Sequence, residues 1–183
     1  MKKILFIGIA LIFVSCGSSN SKSNEQTEGI LNEMVNEKTF EMKFNWAYPR
    51  VTSAMQQLTN SGLIPNGSTA GSIDLTGIGN YFKMENDSVK AELPYYGERQ
   101  FGGAYGANAG IEFEDVPQNL NIKNGKNGSY EVRFDVNDKN TNTESYRIFI
   151  QLFPNLTSNL TINSSNRNNI QYRGKIYAID TID

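Results

Sequence analysis

The 183-residue chain has no histidine, a single cysteine (Cys16) and five prolines. Without imidazole it cannot assemble a Ser-His-Asp triad, a Cys-His dyad or a histidine-ligated metal centre. One thiol cannot close an intrachain disulfide. Cations are not in excess either: 17 basic against 19 acidic side chains give a net charge of −2. Such a surface does not attract phosphate backbones, so no nucleic-acid partner is expected. The apolar run Ile4–Val14 falls well short of the roughly 20 residues a membrane-spanning helix needs. Gly77-Ile-Gly79 is followed by no Gly-Lys-Ser/Thr, so it is not a phosphate loop. Asp135–Asn142 lacks the glycine and terminal glutamate of an EF-hand loop. An enzyme made from what is left would work with carboxylates, tyrosine, lysine or arginine, and no catalytic residue, metal or cofactor is expected.

What the chain does have begins at its N-terminus. Lys2 and Lys3 precede the apolar run, and Ser15-Cys16-Gly17 follows it, the layout of an export signal. Phe13-Val14-Ser15-Cys16 resembles the lipobox of bacterial lipoproteins, although its first position is more usually leucine. An ordinary secretory signal is the alternative, but it leaves a lone cysteine at the cleavage point without a purpose. The expected organisation is a lipoprotein signal peptide over 1–15, a lipidated Cys16 with a flexible polar tether over 16–24, and one domain over 25–183. Removing Met1–Ser15 leaves 15 basic and 19 acidic side chains, a net charge of −4. No acidic cluster follows Cys16, so the expected location is the cell envelope, anchored to a membrane (the outer one, facing the periplasm).

Along the body, Glu25–Glu37 reads as a helix with Ile30, Leu31, Met34 and Val35 on one stripe. The period then switches. Phe40, Met42, Phe44 and Trp46 alternate with polar residues, a strong strand signal that Pro49 ends. Arg50–Gly71 is weakly patterned and predicts a long connection, with at most one helical turn near Ala54–Leu58. Asn80–Glu85 and Ser88–Leu93 predict a hairpin turning at Asn86-Asp87. Further strands are predicted at Ser72–Leu75, Ile111–Glu114, Leu120–Lys123, Ser129–Val136, Ser145–Phe153, Asn159–Asn163, Ile170–Tyr172 and Lys175–Ile179. Many short strands with antiparallel-type turns and one helix argue for an antiparallel barrel or sandwich.

Two places could carry chemistry. Glu112, Glu114 and Asp115 cluster, and Glu92 and Glu98 flank Leu93-Pro94-Tyr95-Tyr96-Gly97. A glycosidase needs two carboxylates about 5–10 Å apart on a sugar cleft, whereas a solvated sheet face explains the same residues with less. The second place is the bare run Phe101–Gly110, whose small residues allow close backbone approach to a ligand or simply form a loop. Near it, Tyr95, Tyr96, Arg99, Phe101 and Tyr105 form the best aromatic-plus-cation group for a ligand. The Asn-x-Ser/Thr triplets at Asn66, Asn86, Asn127, Asn155, Asn159 and Asn163 read as turn residues.

Taken in order, the cysteine at 16, Asn80-Tyr81-Phe82-Lys83-Met84, Leu93–Arg99, Gly110-Ile111-Glu112-Phe113 and Arg167–Gly174 resemble the domain-of-unknown-function family DUF4251, small lipoproteins or secreted proteins of Gram-negative bacteria. The resemblance spans Phe40–Ile176 and departs in the longer polar insertion between Pro49 and Ser72. It implies a small lipocalin-like β-barrel and assigns no activity or site residue. The resulting expectation is mainly β, a small antiparallel lipocalin-like barrel with one N-terminal helix. Its expected role is a non-catalytic binding module for a small apolar or amphipathic ligand. The alternative is an envelope scaffold that binds another protein; a packed interior would favour it, and an open cavity the ligand binder.

Overall fold

The computed structural model describes residues 20–101, 110–141 and 143–179. Cys16 and Tyr105 lie outside them. The elements are α1 (Asn20–Glu37), β1 (Thr39–Pro49), α2 (Ser53–Asn60), β2 (Ile73–Asp74), β3 (Tyr81–Glu85), β4 (Ser88–Leu93), β5 (Ile111–Asp115), β6 (Gln118–Asn124), β7 (Tyr130–Asn137), β8 (Ser145–Leu152), β9 (Thr157–Ser164) and β10 (Ile170–Tyr177). All strands belong to one antiparallel sheet of order β5-β4-β3-β1-β10-β9-β8-β7-β6, with β2 paired to β1.

This sheet corrects the expected closed, lipocalin-like barrel: it is a curled, open half-barrel whose edges are β5 and β6. The reason is topological. Eight antiparallel steps separate β5 from β6, so the two run in the same sense. Side-by-side parallel pairing needs a crossover of a dozen residues or so, yet only Val116 and Pro117 join them. The two strands therefore follow one another end to end, and no ladder seals the sheet. The edges still converge, because Asp115 and Gln118 are separated by at most about 11 Å of extended chain. One backbone hydrogen bond, Lys139 N–H to the Glu112 carbonyl at 2.9 Å, bridges from β5 to the residues just beyond β7.

A second helix also corrects the expectation of one. In α2 the Thr52 hydroxyl accepts from Met55 N–H at 3.3 Å as N-cap, and Met55 is buried. Its local pattern is too polar to stand out; one buried methionine and a cap fix it. Helix α1 starts at Asn20, before the expected Glu25, and buries Leu31, Met34 and Val35. It crosses the end of the sheet that carries the β3–β4 and β6–β7 turns. Glu28 lies against Gly128 and Pro154, Asn32 accepts from Tyr130 Oη at 3.0 Å, and the Lys38 carbonyl accepts from Asn86 N–H at 3.0 Å. Asn86 adopts φ 55°, the turn conformation its type favours.

Inside the curl, Phe82 of β3 meets Phe40, Phe113 and Phe134 at centroid distances of 6.2, 6.2 and 6.1 Å. Phe134 belongs to β7, so aromatic packing spans the interior from one half of the sheet to the other. Each of these rings is buried, and the core is filled by side chains rather than left as a ligand chamber.

Strand β1 departs from simple alternation. Phe40, Met42 and Phe44 face the core as expected, but a register shift between Phe44 and Trp46 turns Ala47 inward and moves Trp46 to the opposite face, beside Arg173. Asn80 stabilises the irregularity: its Oδ1 accepts from Phe44 N–H at 2.8 Å, and its Nδ2 donates to the Phe44 and Ile78 carbonyls at 3.0 and 2.9 Å. Opposite Phe44 stands Gly174, where a Cβ would lie 1.9 Å from the Lys43 carbonyl oxygen and 2.7 Å from Phe44 Cα. Backbone cannot yield as a side chain can, so Gly174→Ala should destabilise by about 3 kcal/mol or more. Urea unfolding checks this; an unchanged midpoint would mean that β1 and β10 can part at this point.

Candidate functional site

At the end of the sheet opposite α1, three connections meet: β4–β5, β7–β8 and β9–β10. Pro94 has no N–H and ends β4; its carbonyl accepts from Tyr172 Oη at 2.9 Å. Gly97, at φ 151°, folds the chain back over Tyr95, whose hydroxyl would stand 2.6 Å from any Cβ there. That hydroxyl lies 3.1 Å from both the Glu98 and Asn168 carbonyls, which compete for its one proton. Residues 98–101 then run beside 166–168. Gln100 N–H donates to the Asn166 carbonyl at 2.7 Å, Asn168 N–H to the Glu98 carbonyl at 3.1 Å, and Gln100 Nε2 to Asn168 Oδ1 at 2.9 Å.

This pairing sets Arg99 directly opposite Arg167, a like-charge contact that is unfavourable alone. Glu144 resolves it. Its Oε1 accepts from Arg167 Nε at 2.8 Å and Ser164 Oγ at 2.6 Å, while Oε2 lies 3.0 Å from Arg99 Nη2 and 3.3 Å from Arg167 Nη2. The Glu144 side chain is 0% exposed, that of Arg167 3% and that of Arg99 22%. Arg167 also donates from Nη1 to the Gly110 carbonyl at 2.7 Å, and its guanidinium sits 5.1 Å from the centre of the Tyr95 ring. Both oxygens of the carboxylate are engaged, so it has no free lone pair for proton transfer. Its effect is mechanical: the cluster holds residues 99–101 and Gly110, the two flanks of 102–109.

Further bonds hold the turn that carries Glu144. The Glu144 carbonyl accepts from Asp138 N–H at 3.0 Å. Asp138 Oδ1 caps Asn140 and Thr141 N–H at 2.9 and 2.8 Å, and its Oδ2 accepts from Tyr146 Oη. Burial, reinforced by that bond to Asp138, pushes the Tyr146 phenol far above its ordinary range, and enclosure does the same to Tyr172.

The residues singled out from the sequence fall into different places. Tyr95 and Arg99 belong to the cluster. Tyr96 is half-buried against the core, and burial raises its phenol. Phe101 is 69% exposed. Tyr105 and Cys16 lie outside the described residues. Glu92, Glu112 and Glu114 face outward on β4 and β5, with Glu92 opposite Glu112. Glu114 lies between Lys139 and Lys90, at 2.6 and 3.4 Å, and hydrogen bonding from Lys139 holds its carboxyl below the usual range. Asn140 Nδ2 donates to Glu112 at 3.1 Å. Glu98 contributes its backbone to the cluster, and the Asp115 carboxylate caps Val116 N–H at 2.7 Å. Among the described residues no group of three or more carboxylates, histidines or cysteines could hold a metal ion.

Glu144, Arg167, Ser164 and Asp138 were not singled out. One signal existed: counting back by twos from Leu152, Ile150, Ile148 and Tyr146 puts Glu144 on the inward face, and an inward acid requires a partner.

Glu144→Ala leaves Arg167 buried without its counter-ion and should cost about 3–5 kcal/mol, whereas the more exposed Arg99→Ala should cost clearly less. Chemical denaturation separates the two; equal and small losses would mean the cluster is dispensable. The phenols of Tyr146 and Tyr172 are raised in the folded state, so their contribution to stability is complete below about pH 10, the unfolded value, and fades as pH rises beyond it. Ultraviolet titration should find two of the nine tyrosines ionising only as the protein unfolds; free ionisation of all nine would contradict their enclosure.

The family model of a domain of unknown function, DUF4251, matches residues 22–176. The crystal structure of a DUF4251 family protein from Bacteroides eggerthii DSM 20697 is similar in fold. Its TM-score is 0.55 at 15% sequence identity, with 86% of this chain and 88% of that chain covered. No curated protein matches the chain.

Proposed function

The chain belongs to the DUF4251 family, whose function is unknown, and from that starting point we propose that it is a non-catalytic, lipid-anchored interaction domain of the cell envelope. In this reading it binds another protein through the end of the sheet opposite α1. The observation that carries the reading is where its exposed apolar side chains lie. Of the seven large apolar side chains exposed among the described residues, Ile30, Val116 and Tyr177 lie elsewhere, and Val51, Leu58, Leu63 and Phe101 sit in segments that leave the sheet at the end bearing the Glu144 cluster. Apolar groups gathered at one end of a domain suit a protein partner. Aromatic packing across the interior weighs against a small ligand inside the curl, the other role considered for the chain.

Anchoring fits the same arrangement. Three residues separate Cys16 from the start of α1, and α1 crosses the opposite end of the sheet. A lipid on Cys16 would hold that end toward the membrane and leave the apolar end facing away. Charge clamped around Glu144 would keep the segment that bears Phe101 in place, which lowers the ordering cost of binding.

The test uses the full chain in its native host. Metabolic labelling with a fatty acid should mark the wild type and not Cys16→Ala, and the variant should leave the membrane fraction; a labelled variant would overturn the anchor. A photo-crosslinking residue at Phe101 or Leu63 should give one discrete protein adduct that is absent when the same residue replaces Lys43 on the outer face of β1. Adducts at all three positions alike, or at none, would overturn the partner surface.

A further inference from the structure

On the outer face of β8, β9 and β10 a group of polar side chains is left without a partner among the described residues. Pairing across the strands aligns two rows. Glu131, Gln151, Asn159 and Arg173 stand opposite one another in one, and Phe149, Thr161, Gln171 and Tyr48 in the next. The strands repeat at about 4.8 Å, a spacing comparable with a pyranose ring. Two concavities of about 1120 and 500 Å³ lie over these rows and share Gln151, Asn159 and Arg173, so they form one continuous groove. The turn at Phe153-Pro154-Asn155 walls one end, and Tyr48 stands at the other. Gln151, Asn159, Thr161 and Gln171 have no side-chain hydrogen-bond partner among the described residues, and the rings of Tyr48 and Phe153 stack on no other described group. Neighbouring charged groups on the same face are matched, as in Glu131–Arg133 and Arg147–Asp135.

We propose that this groove binds a neutral oligosaccharide chain. A carboxamide offers two donors and two acceptor lone pairs in one plane, which suits the adjacent hydroxyls of a sugar. The half-buried rings of Tyr48 and Phe153 offer flat apolar surfaces for the C–H face of a pyranose. Charge selects an anion only weakly: Lys123, Lys126 and Arg173 stand against Glu28 and Glu131, a net of one positive charge. Phe149 and Tyr48 are separated along their row by Thr161 and Gln171, so the groove has no continuous apolar centre of the kind a protein partner needs. The proposal is independent of the partner surface at the Glu144 end.

Trp46, the one tryptophan of the chain, stands opposite Arg173 at the margin of the groove and supplies the readout. The full chain is titrated with malto-, cello-, xylo-, manno- and laminarihexaose, following Trp46 fluorescence and, in parallel, heat by calorimetry. At least one neutral hexasaccharide should bind saturably. Gln151→Ala with Asn159→Ala should weaken that binding by roughly tenfold or more, as expected for two lost hydrogen bonds, while the unfolding midpoint stays unchanged because both side chains are unpartnered. Tyr48→Ala should weaken it as well. No heat and no fluorescence change with any of the five sugars would overturn the proposal. So would binding confined to uronic or sulfated oligosaccharides, or binding that survives the double substitution.

Discussion

One buried carboxylate holds together the end of the molecule that the sheet cannot close by itself. Glu144 takes hydrogen bonds or ion pairs from Arg99, Arg167 and Ser164, and so ties the connections between β4 and β5, β7 and β8, and β9 and β10. In a closed barrel the final ladder would do this work. Here β5 and β6 lie end to end, so the curl is maintained by what crosses it: Phe82 against Phe134 in the interior and the Glu144 cluster at the rim. Desolvating these charges is costly, and removing Glu144 leaves two arginines uncompensated. The arrangement is therefore fixed in geometry even where it adds little net stability.

The same logic of substitution recurs at smaller scale. Where β1 loses its regular register, the amide of Asn80 stands in for a neighbouring strand by bonding both the N–H and the carbonyl of Phe44. Where Glu98–Phe101 needs a partner, residues 166–168 supply one outside any regular strand. Backbone groups that the main sheet leaves unpaired are satisfied by short local devices.

Much of this was legible in the sequence, and the failures have physical causes. Alternation in β1, β4 and β7 is plain, because each buries one face only. The hairpin at Asn86 was readable from turn chemistry. Closure was not, since local patterns describe strands and say nothing of which edges meet; the decisive fact is the two-residue link after Asp115. Alternation alone places Trp46 on the same side as Phe40, Met42 and Phe44, because a bulge cannot be seen in a run of alternating residues. Helix α2 was read as at most a turn because a single buried methionine barely marks a face. At the candidate site, Tyr95 and Arg99 stood out as aromatic and cation near glycines. Glu144 hid in a polar turn, its inward parity visible only by extending the strand after it. The acids of β5 drew attention in the sequence, yet they are ordinary members of a solvated face.

The pairing of β1 with β10 also bears on how the chain reaches its native state. Glu41 faces Tyr177 and Pro49 faces Ile170, so one side of the central strand waits for a segment more than a hundred residues later in synthesis. Contacts of such separation form slowly, because a long loop must close before they reward it. A partial chain that lacks β10 keeps the Phe44 region without its counterpart. The central seam can therefore zip only after β10 has been made, late in the assembly of the sheet.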